Sequence, residues 1–244
     1  MIGVSSLCML QDSLQYVLDT VIPTFSHVEV ICEGNHTDFE VLSSYDCSVS
    51  FHAPFSDLNI MSLNNAILAE SLSQISENIE MANTYNAEAV CIHPGHFSPL
   101  GMHFPEKVRA IQKDSLRALA RTAEDQNVKL GVENMPLFPI LSCRAPEEME
   151  DLVTAVDSEY LGITFDVGHA NTTNTIEQFL DLKEYMVSVH LHDNFGDEDS
   201  HLALGEGNIN LDFLKEVEDK RLIIEVNTYQ DAVKSLQYLR DRTF

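Results

Sequence analysis

The chain is poor in positive charge: 14 Lys and Arg stand against 39 Asp and Glu, a formal net charge of −25 over 244 residues. Such a balance repels nucleic acid and anionic membrane at long range. It reads as a soluble acidic surface, of a kind suited to a salty cytoplasm. Cysteine is scarce: Cys8, Cys32, Cys47, Cys91 and Cys143 are an odd number without a CxxC pair. That speaks against a disulfide framework or a thiolate zinc site. No apolar run has the length to span a bilayer, and MIGVSSLCML lacks the basic segment of a signal peptide. The expected setting is a reducing cytoplasm, with no membrane partner. With 8 Pro, 10 Gly and 44% apolar residues, the chain is neither low-complexity nor short of core material.

Short apolar runs alternate with longer amphipathic segments about every 30 residues, which reads as successive β-α units. The expected strands are Ile2–Ser5, His27–Cys32, Cys47–His52, Ala89–His93, Lys129–Asn134, Leu161–Val167, Met186–His192 and Arg221–Val226. The expected helices are Ser13–Val21, a weak segment near Asp38–Ser43, Asn65–Tyr85, Pro105–Asp125, Pro146–Val156, Thr175–Leu182, Leu211–Glu218 and Tyr229–Arg242. Strict alternation without a linker predicts one domain over 1–244, an α/β fold closed as a single (β/α)8 TIM barrel. An open doubly wound sheet is the competitor, but no glycine-rich fingerprint follows the first strand.

In such a barrel chemistry sits where the strands end. Those ends supply His52, His93, Glu133, Asp166 with His169, His190, and Glu225, and the loop after the seventh strand adds Asp199 and His201. Two residues below several of them lies a small one: Ser50, Cys91, Gly131, Thr164 and Ser188. Side chains facing the barrel axis need that room. A single histidine at a strand end is ordinarily a satisfied structural residue. Six consecutive strands delivering His, Asp or Glu at one level is different, because so many polar groups in one mouth are costly without cations. Imidazole and carboxylate ligation without thiolate suits Zn or Mn.

The motifs His93-Pro94-Gly95, Glu133-Asn134, Asp166-Val167-Gly168-His169, His190-Leu191-His192-Asp193, Asp199-Ser200-His201 and Leu204-Gly205-Glu206-Gly207-Asn208-Ile209 resemble those of the xylose isomerase-like TIM-barrel superfamily. That superfamily includes sugar and sugar-phosphate isomerases and epimerases as well as endonuclease IV. The resemblance covers nearly the whole chain. For the isomerase branch it implies one divalent ion held by Glu133, Asp166, His190 and Glu225. For the endonuclease IV branch it implies a trinuclear zinc centre that adds His52, His93, His169, Asp199 and His201. The expected cofactor is therefore one to three Zn or Mn ions.

Three readings follow. The favoured one is an isomerase or epimerase acting on a small carbohydrate. In it the ion acts as a Lewis acid, Glu133 and Glu225 form the acid/base pair, and His169 contacts substrate. The second is an endonuclease IV-like phosphodiesterase. Against it, Ala53–Met61, Gly95–His103, Pro136–Ser142 and Asn194–Ser200 contain no Lys or Arg, and Arg144 is the one nearby cation. Duplex DNA is held largely through phosphate contacts, so it is the less expected partner. The third is a non-catalytic metal-binding scaffold. His96 and His103 could contact substrate, Phe97, Phe104 and Phe138 could wall the site, and Glu206 is expected to fix a turn or a ligand histidine.

Overall fold

Eight parallel strands close into a barrel in the order β1 to β8, each hydrogen-bonded to its sequence neighbours and β1 to β8. The computed structural model describes residues 2–242. The strands are β1 (Ile2–Ser5), β2 (His27–Ile31), β3 (Ser48–His52), β4 (Ala89–Ile92), β5 (Lys129–Glu133), β6 (Leu161–Asp166), β7 (Met186–Leu191) and β8 (Arg221–Ile224). The helices are α1 (Leu14–Val21), α2 (Asn65–Thr84), α3 (Pro105–Gln126), α4 (Pro146–Val156), α5 (Val167–Thr173), α6 (Ile176–Leu180) and α7 (Tyr229–Arg240).

Local chemistry sets most of these boundaries. Ser13 caps α1 by accepting from the Tyr16 amide, and Thr228 does the same for α7 through Asp231. Pro105 and Pro146 open α3 and α4, where the missing N–H costs nothing. Asn127 and Asp157 end those helices in the left-handed conformation at φ 54° and 51°.

Strand residues alternate between two environments. Val189 and Leu191 point outward under the helices, while Ser188 and His190 face the axis, and all four are buried. The outer layer is apolar: Phe165 stacks on Phe179 at 5.6 Å and Phe51 on Phe39 at 5.2 Å. The small axial residues are packed to the limit. A Cβ on Gly131 would lie 2.1 Å from Thr164 Oγ1.

The helical ring is less regular than strict alternation predicts. The segments after β2 and β7 are 3-10 turns, Phe39–Ser44 and Asp212–Glu216, in place of a weak helix and a full helix at Leu211–Glu218. Neither has a side-chain-capped start. Asn210 instead accepts from the Asp212 amide in a local turn. After β6, the expected helix at Thr175–Leu182 is present in shorter form as α6, and an additional helix, α5, precedes it, capped directly by Asp166. No helix among the described residues is long and apolar enough to cross a membrane.

Candidate metal centre

The inner group is Glu133, Asp166, His190 and Glu225, from the ends of β5, β6, β7 and β8. Each offers a ligand atom within 4.8 Å of the others. His190 Nδ1 lies 3.0 Å from Glu133 Oε1, 2.9 Å from Glu225 Oε2 and 4.0 Å from Asp166 Oδ2. Its other nitrogen, Nε2, is 2.8 Å from Glu29 Oε1. Ser50 in turn donates to Glu29 Oε2 at 2.8 Å, and Ser5 to Glu225 Oε1 at 3.3 Å. A carboxylate behind a histidine fixes its tautomer and aims the opposite nitrogen forward.

Two further groups flank this one. His52 and His93 bring Nε2 to 3.4 and 3.0 Å from Glu133 Oε2. His52 Nδ1 bonds the Ala53 carbonyl at 3.0 Å, and Phe55 stacks on His93 at 4.6 Å as a wall of the site. On the other side, His169, His192, Asp199 and His201 form a second four-residue group. His169 Nε2 is 3.1 Å and His201 Nε2 3.4 Å from Asp199 Oδ2. Their Nδ1 atoms are held by the Asn134 and Glu225 carbonyls, at 2.7 and 2.9 Å.

All nine residues expected from the sequence therefore gather in one mouth. His169 arrives there because Asp166 Oδ1 accepts its amide at 2.6 Å, so the same carboxylate that faces His190 also starts α5. His201 sits at φ 47°, a left-handed backbone that bulky residues seldom adopt and that clusters at functional sites.

Two members escaped the sequence reading. Glu29 lies mid-strand on β2 and carries no strand-end signal, and His192, which shares the inward parity of His190 and its motif, is not among the nine expected ligands. Glu206 holds none of the histidines; it pairs with Lys234 at the surface. The LGEG turn is fixed by Asp193, whose carboxylate accepts from the Asn194, Gly205 and Ile209 amides. Of the wall candidates, Phe104 and Phe138 stay exposed, while His96 pairs with Leu141 beside a small pocket lined by Phe55, His93 and Met135. Larger depressions around Lys129 and Glu159 carry none of the clustered ligands.

The electrostatics suit a cation. Burial alone would raise the Glu133 carboxyl, but His190, His52 and His93 hold it well below the usual range. Burial likewise works against the His169 and His201 cations, yet the surrounding carboxylates lift them to about 10 and about 9. Protons on imidazole thus supply the positive charge that a divalent ion would otherwise bring. Asp166 Oδ2 and both His192 nitrogens are buried without a hydrogen-bond partner among the described residues, while His190 Nε2 and Glu29 Oε1 face each other as an ion pair at 2.8 Å. Unpaired buried polar atoms are rare in proteins and mark places where an ion or reaction accounts for them. Cys91 also lies beside Glu133 and His190, its thiol donating to Glu133 Oε2 at 3.8 Å, and in the metal-free chain burial pushes that thiol up to about 11.

The chain matches the xylose isomerase-like TIM-barrel family over residues 40–242. It belongs to that family. An uncharacterized protein of Methanocaldococcus jannaschii is 36% identical, covering 98% of this chain and 88% of its own. A crystal structure described as a D-tagatose 3-epimerase-like protein is also 36% identical, with a TM-score of 0.91 and coverage of 98% and 96%. A probable endonuclease 4 of Thermoplasma volcanium is 25% identical over 83% of this chain and 76% of its own. Family membership accounts for the barrel, and the relatives it brings include both a D-tagatose 3-epimerase-like protein and a probable endonuclease 4.

Proposed function

We propose that this xylose isomerase-like protein is a divalent-metal-dependent isomerase or epimerase of a small sugar or sugar phosphate. One observation carries the reading: two buried carboxylates from non-neighbouring strands, Glu133 of β5 and Glu225 after β8, converge on the same atom, His190 Nδ1, at 3.0 and 2.9 Å. A Zn or Mn ion would be held there by Glu133, Asp166, His190 and Glu225. When bound, it supplies Lewis-acid polarisation of adjacent substrate oxygens.

The protein's own groups do the rest. One of Glu133 and Glu225 takes a proton from the substrate carbon on a carboxylate oxygen, and the other returns one, as an acid/base pair. Both begin ionised, since the neighbouring histidines hold each below the ordinary carboxylate range against the opposing pull of burial. Glu29 keeps the Nε2 proton of His190 in place, so Nδ1 stays free to ligate. Phe55 and the other apolar residues beside His93 exclude water from one side.

A phosphodiesterase of the endonuclease IV type is the second reading. It draws support from the His52–His93–Glu133 and His169–Asp199–His201 groups beside the inner four and from the Thermoplasma relative. The mouth loops argue against a DNA substrate, since the four segments named above carry no Lys or Arg on a chain of net charge −25.

The deciding experiment is incubation of the zinc- or manganese-loaded protein with ketoses and sugar phosphates in deuterium oxide. The expected result is deuterium at the carbon beside the carbonyl, seen by NMR and lost in Glu133→Gln and Glu225→Gln. Cleavage of an abasic-site duplex, with no exchange into any sugar, would overturn the proposal in favour of the second reading.

A further inference from the structure

We infer that the uncharged apolar shoulder formed by the loops after β4 and β5 binds the same shoulder of a second copy of this chain. The resulting two-fold dimer roofs one side of each mouth. The inference goes beyond the proposed reaction and does not depend on it.

Large apolar side chains crowd this side of the barrel. Leu100, Met102 and Phe104 follow β4, Leu137 and Phe138 follow β5, and all five are exposed. Leu100 and Leu137, each 61% accessible, are the most exposed large apolar residues among those described. Their backbone is locked in place. The Phe97 amide donates to the Ile140 carbonyl at 2.8 Å, and His96 pairs with Leu141, so the two loops form one surface. Asn59 holds the first loop, accepting from the His96 amide at 3.1 Å and donating to its carbonyl at 2.9 Å. Thr172 holds the second by accepting from the Leu137 amide at 2.8 Å. Apolar groups fixed on a hydrogen-bonded frame lose little freedom when something covers them.

Charge decides what covers them. Residues 94–105 and 134–143 contain no Asp, Glu, Lys or Arg, in a chain that is 22% charged and carries a net −25. Two such copies repel each other through their acidic faces, and here they meet without opposing carboxylates. A basic partner would be drawn to the acidic faces instead, and nucleic acid would find no cation to hold it. Size points the same way. Phe104 and Phe138 are about half exposed, so each leaves roughly 100 Å² of ring in water. The five side chains together expose on the order of 500 Å², in the range that marks an interaction site. A specific homodimer buries ~800 Å² per partner, ~65% of it apolar, which is the same amount. A patch that meets its own image closes as a dimer, without open-ended growth. Met135 and Leu141 of the second loop also line the pocket beside His93. A copy seated on Leu137 and Phe138 therefore shields that side of the site from water. The mouth above β1 and β8, across the barrel, stays open to substrate.

The test uses the full chain without substrate. Sedimentation across a dilution series, between about 0.05 and 1 M salt, compares the unmodified protein with Phe104→Asp, Phe138→Asp and Tyr16→Asp. The expected result is a dimer that tightens as salt screens the mutual repulsion. Each shoulder variant should weaken it at least about 10-fold, as loss of an interface anchor does. Tyr16→Asp, exposed on α1 away from the shoulder, should leave it unchanged. Amide hydrogen exchange of the unmodified protein reads the surface directly: residues 97–104 and 137–141 should exchange more slowly in concentrated than in dilute solution. A monomer at every concentration and salt would overturn the inference. So would a dimer that both shoulder variants leave intact, or one whose protected amides lie elsewhere. Protection of the shoulder in a chain that stays monomeric, seen only when a sugar is added, would assign it to substrate instead. The exchange readout needs no variant, so it decides the matter even if a substitution prevents folding. Because association is measured without substrate, its failure leaves the proposed reaction untouched.

Discussion

The barrel interior holds two polar layers two residues apart on the same strands, and they behave as opposites. The lower layer is neutral and satisfied. His27 bonds Ser48 Oγ at 2.8 Å and Ser50 Oγ at 2.9 Å through its two nitrogens, and Thr164 meets Ser188 at 3.1 Å. The upper layer is charged, and several of its atoms lack partners. Period-two geometry stacks one on the other, so strand propensity does not distinguish them. Hydrogen-bond closure does: a buried polar group with all partners in place is scaffold, and one left open is waiting for something. The layers meet at Glu29, which takes Ser50 from below and His190 from above.

The largest way to separate the layers is through turnover. Glu133→Gln or Glu225→Gln should lower sugar exchange by ~10²–10⁴-fold, the usual worth of one positioned acid or base. Thermal unfolding of the metal-free chain should show these variants still folded. Next in size is Glu29→Gln, which removes the carboxylate behind His190 while keeping its shape. Inner-site zinc affinity should fall ~10–100-fold, as for other such outer partners, read by competition with a chelator. An unchanged affinity would assign Glu29 to the satisfied lower layer.

The same contrast explains what was legible in the sequence. The barrel was readable because each strand is a short apolar run with turn chemistry at its end, and Pro105, Pro146 and Thr228 mark helix starts. The upper layer was readable because its histidines and acids recur at strand ends in phase. Glu29 was not, because it sits mid-strand on β2 and becomes part of the site only through register with Ser50. His192 was passed over because one histidine of the His-x-His pair sufficed for the expected ligand set. Geometry alone reveals that its ring is buried, unpaired and provided with space by Gly168. The weak helical segment expected after β2 is there as a 3-10 turn, whereas the full helix expected after β7 shortens to one, because periodic apolar residues do not record whether an end is capped.

Two glycines sharpen the comparison at smaller scale. Gly131→Ala drives a methyl group into the lower layer, 2.1 Å from Thr164 Oγ1 and 3.0 Å from the Thr164 amide. Overpacking of this kind costs about 1–3 kcal/mol, and it should appear as a lower melting temperature with zinc content intact. Gly168→Ala meets the His192 ring first. It should displace that ring from beside Asp166 and Asp199 and lower zinc content, with a smaller loss of stability once metal has been stripped. If both variants behave alike, the layers are not distinct.

The smallest effect is on pH dependence, where the histidines of the two layers have opposite sign. Burial lowers His27 to about 3, helped by nearby Arg221. Its folded pKa lies below the unfolded value of about 6.5. The stability it lends is present above pH 6.5 and is lost progressively as pH falls toward 3. In the upper layer of the metal-free chain, burial opposes the His169 cation, but Asp166 and Asp199 outweigh it and raise the group to about 10. That contribution is complete below about pH 6.5 and is lost as pH rises through 10. Metal-free protein should therefore weaken on both sides of neutrality. Saturating zinc, which takes the place of the imidazole protons, should flatten the alkaline side. His27→Gln should reduce the acid-side loss only in part, because Glu133, Asp199 and Glu225, all held below the usual carboxylate range, also lose their contribution there. Chemical denaturation across pH checks both limbs, and an alkaline limb that zinc left unchanged would mean that His169 gives up no proton to the metal.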